Sequence, residues 1–152
     1  MPDELIIAEE VRAYLIDEGA VSAGEDEHEV NDPPPCYHDP RDGALETPVP
    51  DGADATVTLL TGVEVPQEWL VGDKWQTVAI EVMVRAHSRP QAELLQRQLR
   101  GLLEEKRDIT FGRLHVNSCK LWRGVQPVAV DESTWTLSQS FLIDVSISKL
   151  TV

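Results

Sequence analysis

The stretch WQTVAIEVMVRAHSRPQAELLQRQLRGLLEEK, Trp75–Lys106, changes its apolar period half-way along. In the first part Val78, Ile80, Val82 and Val84 alternate with Thr77, Glu81 and Arg85. Successive side chains on a strand point to opposite faces, so Trp75–His87 predicts a half-buried strand. After Ser88 the apolar residues recur at intervals of three and four: Ala92, Leu95, Leu99, Leu102 and Leu103. That spacing predicts a helix from Ser88 to Lys106, with Gln96, Arg97, Arg100 and Glu104 on its outer side. Ser88 with Gln91 three residues later forms a capping box, and Pro90 is tolerated in a first turn.

On either side of this unit the chain alternates again. Ala55–Glu64 (ATVTLLTGVE) is rich in β-branched residues and predicts a strand. Val65–Lys74 reads as a connection carrying Pro66, Trp69 and Gly72. Asp108–Leu121 holds strand signals, with Gly112 marking a bulge or kink. Gly124–Asp131 reads as a bridge around Pro127. In Thr134–Leu150, Trp135, Leu137, Phe141, Ile143, Val145 and Ile147 share one face, opposite Thr136, Ser138, Ser140, Asp144, Ser146 and Ser148. Seventeen residues exceed the usual strand length, so a bend or an extension beyond the domain body is expected. At the other end, residues 3–18 predict an amphipathic helix through Ile7, Val11, Tyr14 and Leu15, capped by Asp3 and ended at Gly19. The expected order is helix, long loop, two strands, helix, two strands. Half-polar strands imply an α+β fold: a mainly antiparallel sheet with helices packed on one face, in a single domain over residues 1–152.

Charge is divided unevenly. The net charge is −14; residues 1–54 hold 16 acidic and 2 basic residues, and residues 55–152 hold 11 of each. Residues 22–54 include Glu25, Asp26, Glu27 and Glu29, then Pro33-Pro34-Pro35. Little apolar content and three consecutive prolines predict an extended acidic arm or loop, with one short strand at most, beside an α+β core over 55–152. Such a balance argues against binding DNA through its phosphates, which needs lysine and arginine. It permits a surface that repels a nearby duplex, DNA mimicry, or solubility alone.

Few chemistries fit these residues. No phosphate-binding glycine loop and no G-x-S-x-G elbow occurs, and His28-Glu29 lacks the second histidine of a zincin helix. Cys36, His38, Asp39 and Asp42 crowd together, but their spacing and proline-rich flanks do not suit a preorganised metal site. His115 and Cys119 are an even number of residues apart on a strand, hence on one face but roughly 13 Å apart, too far for a nucleophile pair. No catalytic set, metal or cofactor is expected. The acidic start Met1-Pro2-Asp3-Glu4 is unlike a signal peptide, and no apolar run is long enough for a membrane span. Both cysteines are expected reduced, with synthesis in the cytosol. Trp135 fits a core face. Trp69, in a loop, is an interface candidate unless it folds back over the sheet edge, and Arg97 and Arg100 are candidates on the outer face of the second helix.

The element order and these segments resemble the tail terminator (tail completion, minor capsid) proteins of phages with long non-contractile tails. The resemblance is carried by VTLLTGVEVPQEW, by Arg85, Ala86, His87, Ser88 and Ala92 at the strand–helix junction, and by Leu95, Leu99 and Leu102 on the helix. ITFGRLHVNSCKLWRGVQPV and WTLSQSFLIDVSI continue it; the acidic proline-rich arm departs from it. The resemblance implies a non-enzymatic virion protein at the head-proximal end of the tail. It implies a homohexameric ring that stops the tail tube and meets the tube protein on one side and head-completion or connector proteins on the other. Double-stranded DNA would pass non-specifically through the lumen, which Glu25, Asp26, Glu27 and Glu29 could line; six copies would carry about −84. A neighbouring stopper, a tube subunit and an acidic DNA-mimic inhibitor are the alternatives.

Overall fold

A computed structural model describes residues 4–22, 33–38, 55–60, 75–112, 114–130 and 134–146. The first helix, α1, is Glu4–Asp17. Its buried side is Ala8, Val11, Tyr14 and Leu15, as the period requires. It ends in a Schellman turn: Ala20 N–H donates to Leu15 O (3.1 Å) and Gly19 N–H to Ile16 O (2.9 Å). Gly19 sits at φ 77°, the left-handed conformation that this closure needs.

Strand β1 is Cys36–His38, β2 is Ala55–Leu60 and β3 is Trp75–Ala86. Helix α2, Arg89–Leu103, follows directly, with Ser88 Oγ accepting from Gln91 N–H at 3.4 Å. It stops three residues before the predicted Lys106. Glu104 is extended and Glu105 turns left-handed (φ 58°), which sends Lys106 into the next strand. Strands β4 (Lys106–Phe111), β5 (Leu114–Val130) and β6 (Trp135–Ser146) complete the order.

The six strands form one sheet in the order β1-β2-β3-β6-β5-β4, antiparallel throughout except for β1 beside β2. Both helices lie on the face that carries the buried residues Val57, Leu59, Ile80, Val82, Leu137, Phe141 and Ile143, so the α+β architecture is as expected. Tyr14 joins the layers: its ring stacks on Phe111 with centroids 4.3 Å apart, and its hydroxyl donates to Leu102 O at 2.9 Å. Burial and the nearby Glu18 carboxylate raise the phenol above its ordinary range.

Three details depart from the period reading. Gly112 does not bend a single strand; at φ 62° it turns β4 back into β5. The expected bridge at Gly124–Asp131 is strand as far as Val130. β4 pairs with β5 only up to Cys119, so beyond it β5 has no strand on its outer side among the described residues, a position that tolerates Pro127. The third is Gln96, which is fully buried rather than outside. Its Nε2 donates to Val82 O (3.0 Å) and Leu137 O (2.9 Å), and it accepts from Gln139 Nε2 on the facing strand.

Candidate assembly interface

The side of α2 that turns from the core toward β5 is charged. Arg89, Glu93, Arg97 and Arg100 follow at helical spacing, and all four face the outer half of β5. Between them lies a groove of about 290 Å³, with Val125, Pro127 and Leu137 as its apolar lining. Arg89 pairs with Glu93 (2.7 Å) and lies 5.6 Å from the ring of Trp135. Arg100 makes two contacts with Glu104, at 2.7 and 3.0 Å; these hold the Glu104 carboxyl below its ordinary value and raise the guanidinium. Arg97 is exposed and makes no ion pair among the described residues. The groove thus holds three guanidiniums, two of them paired along the helix to Glu93 and Glu104, which leaves Arg97 as its cation without an ion pair among the described residues.

Around it, β5 departs from a regular ladder. Its register to β6 shifts at four places between Val116 and Ala129. Such bulges twist an edge and re-aim side chains. Trp122, 37% exposed, stands at one shift with the Arg123 guanidinium 4.2 Å from its ring. Val125 and Val128 are each 42% exposed, and Leu94 on α2 is 54% exposed. The exposed apolar residues of β5, next to arginine, suit contact with another protein surface.

Of the interface and lumen residues named from sequence, Arg97 and Arg100 lie among the described residues, and they share this groove. Trp69 and the acidic Glu25, Asp26, Glu27 and Glu29 lie outside the described residues. Val125 lies in the stretch Gly124–Asp131 that reads as a bridge, whereas Trp122 closes the strand signal KLW. Runs such as RLHV and KLW showed the strand; its continuation through a glycine and a proline had no local signal.

The same geometry accounts for the remaining reactive groups. Cys36 and Cys119 are buried free thiols, and desolvation pushes each up to about 12, far from a nucleophile. The shift between Val116 and Ser118 puts both Val116 and Cys119 in the core. His115 therefore lies on the opposite face from Cys119, not on the same face as the even spacing implies. There it meets Asp108 at 3.1 Å. No group of three or more metal-ligating side chains occurs among the described residues, and no described helix is long and apolar enough to cross a membrane.

No family model and no curated protein matches the sequence. Among solved structures, one chain of the virion of a native gene transfer agent particle aligns with a TM-score of 0.61 at 15% identity. The alignment covers 95% of this chain and 99% of the other. The two chains share a fold. The coverage shows that the likeness runs over nearly the full length of both chains rather than over a fragment.

Proposed function

We propose that this chain is a structural virion protein of a phage-like particle, acting as a tail terminator. In this reading a homohexameric ring caps the tail tube and joins it to the head-completion or connector proteins. The observation that carries it is the full-length fold shared with a virion chain. Two features of the surface support it. The sheet offers different edges at its two sides, short β1 and the long, bulged second half of β5. Unlike surfaces that mate head to tail generate rings when the rotation closes. A net charge of −14 per subunit also suits a channel that DNA traverses without sticking, because phosphate neutralisation is absent. A DNA mimic would instead array its carboxylates on ordered elements. Here the whole excess lies before residue 55, largely in a proline-rich stretch.

Position in the intact particle tests the reading. Labelling or cryo-microscopy of particles is expected to place the chain as one ring where tail meets head. Deleting its gene is expected to leave DNA-filled heads and tube polymers of uncontrolled length. Signal repeated along the tail would instead make it a tube subunit, and signal at the head vertex in particles with normal free tails would make it a stopper.

A further inference from the structure

We infer that the groove between α2 and β5 receives the acidic segment 23–32 of a second copy of this chain. The groove supplies Arg89, Arg97 and Arg100 around Val125, Pro127 and Leu137. The segment AGEDEHEVND supplies Glu25, Asp26, Glu27, Glu29 and Asp32, with no lysine or arginine. Charge complementarity selects it. Residues 55–152 are neutral overall, and residues 1–54 hold the entire excess of −14. An apolar floor excludes water and strengthens the arginine–carboxylate contacts above it. The segment also contains no proline, so its backbone can donate to the outer edge of β5, which has no strand partner among the described residues beyond Cys119.

Geometry keeps a copy's own segment from the outer edge of β5. Its ends are tied together at the far side of the sheet: Ser22 N–H donates to Pro34 O at 2.9 Å and Cys36 N–H to Ser22 O at 3.0 Å. Cys36, Val57, Val84, Leu137 and Pro127 stand in register across five strands, so β1 and the groove strand β5 are four spacings apart. That is about 19 Å, and Ser22 lies one spacing further out. The middle of the segment, five residues from Ser22, extends only about 17 Å even when fully stretched. Donor and acceptor are at opposite ends of one sheet, so the contact runs head to tail and can close a ring. A second cationic groove, about 570 Å³, is lined by Lys106, Arg107 and Lys120 with Glu105. Its other lining residues are Asn117, Ser118 and the buried Cys119, so it lacks the exposed apolar floor.

The inference rests on the ring reading above, and charge exchange in the full chain tests the two separately. One variant carries Arg97→Glu and Arg100→Glu; the other carries Glu25→Lys, Asp26→Lys, Glu27→Lys and Glu29→Lys. Each alone is expected to raise the concentration for half-assembly at least about tenfold by analytical ultracentrifugation. Mixing the two, or combining all six changes in one chain, is expected to restore assembly. Circular dichroism of each variant confirms folding, and Arg97→Glu alone is a milder second test. In parallel, an Arg97→Lys chain prepared in light and heavy isotope forms is treated with carbodiimide, which joins lysine to carboxylate. Mixed-isotope links between Lys at 97 and residues 25–29 are expected. Links only within one isotope form would overturn the inference, as would loss of assembly caused by Lys106→Glu with Arg107→Glu instead. Rings indifferent to both reversals would remove the docking and leave the ring reading intact. A chain that stays monomeric and gives no mixed links would remove both.

Discussion

Gln96 and Gln139 set two amides into an otherwise apolar layer between α2 and the sheet, fully and almost fully buried. Gln96 bridges β3 and β6 through two backbone carbonyls, and Gln139 Nε2 donates to both the backbone and side-chain oxygens of Gln96. Such a pair pins the helix against one register, because sliding α2 would leave buried donors without partners. We expect Gln96→Leu to cost about 1–3 kcal/mol in urea unfolding, since the Gln139 amide loses an acceptor inside the core. Adding Gln139→Leu should recover part of that loss; a double variant as unstable as the sum of the singles would deny the coupling. Both residues were within reach of a sequence reading. Gln96 lies between Ala92 and Leu99 on the buried stripe, and Gln139 between Leu137 and Phe141 on the buried face of β6. Assigning polar side chains to the outside by type concealed them; two polar breaks in facing apolar stripes were the signal.

Among elements, the β3–α2 unit was the most legible, because its period and its cap lie within one continuous stretch. The β4–β5 hairpin was the least. Its turn rests on Gly112, at φ 62°, where an added methyl group would also meet the Glu10 carboxylate of α1. Gly112→Ala is expected to destabilise by about 1–3 kcal/mol. Gly101, on the exposed side of α2 with open space around it, provides the opposite sign. Gly101→Ala should stabilise by about 0.5–1 kcal/mol, with both changes read as urea midpoints at constant slope. Equal effects at the two positions would show that the turn conformation carries no cost. The outer half of β5 was missed for a different reason. Glycine and proline usually punctuate a chain; because β4 begins only at Lys106, opposite Cys119, the stretch beyond has no outer partner among the described residues and tolerates them.

At the scale of the whole molecule, burial of both thiols couples stability to pH. Cys36 and Cys119 ionise near 9.0 when exposed and are pushed up to about 12 in the fold, chiefly by desolvation. A raised acid group stabilises the fold fully below its unfolded value, and that contribution is lost as pH climbs from about 9 toward 12. We expect the urea midpoint to fall across that interval, and native chains to resist alkylation at pH 8 while unfolded chains react at both cysteines. Rapid native alkylation would contradict the burial. The α+β class, the strand–helix junction and the division between an acidic first third and a neutral remainder were all readable from residue order, because period and charge are local properties. Which strands are neighbours was not. The order β1-β2-β3-β6-β5-β4 places Pro127 in register with Cys36 across three intervening strands, an alignment of residues 91 positions apart in sequence. Burial of Gln96, separation of His115 from Cys119 and convergence of Arg97 with Val125 follow from that order and its bulges. Each depends on long-range packing and backbone pairing, in which distant segments settle each other's register and no local period has a vote.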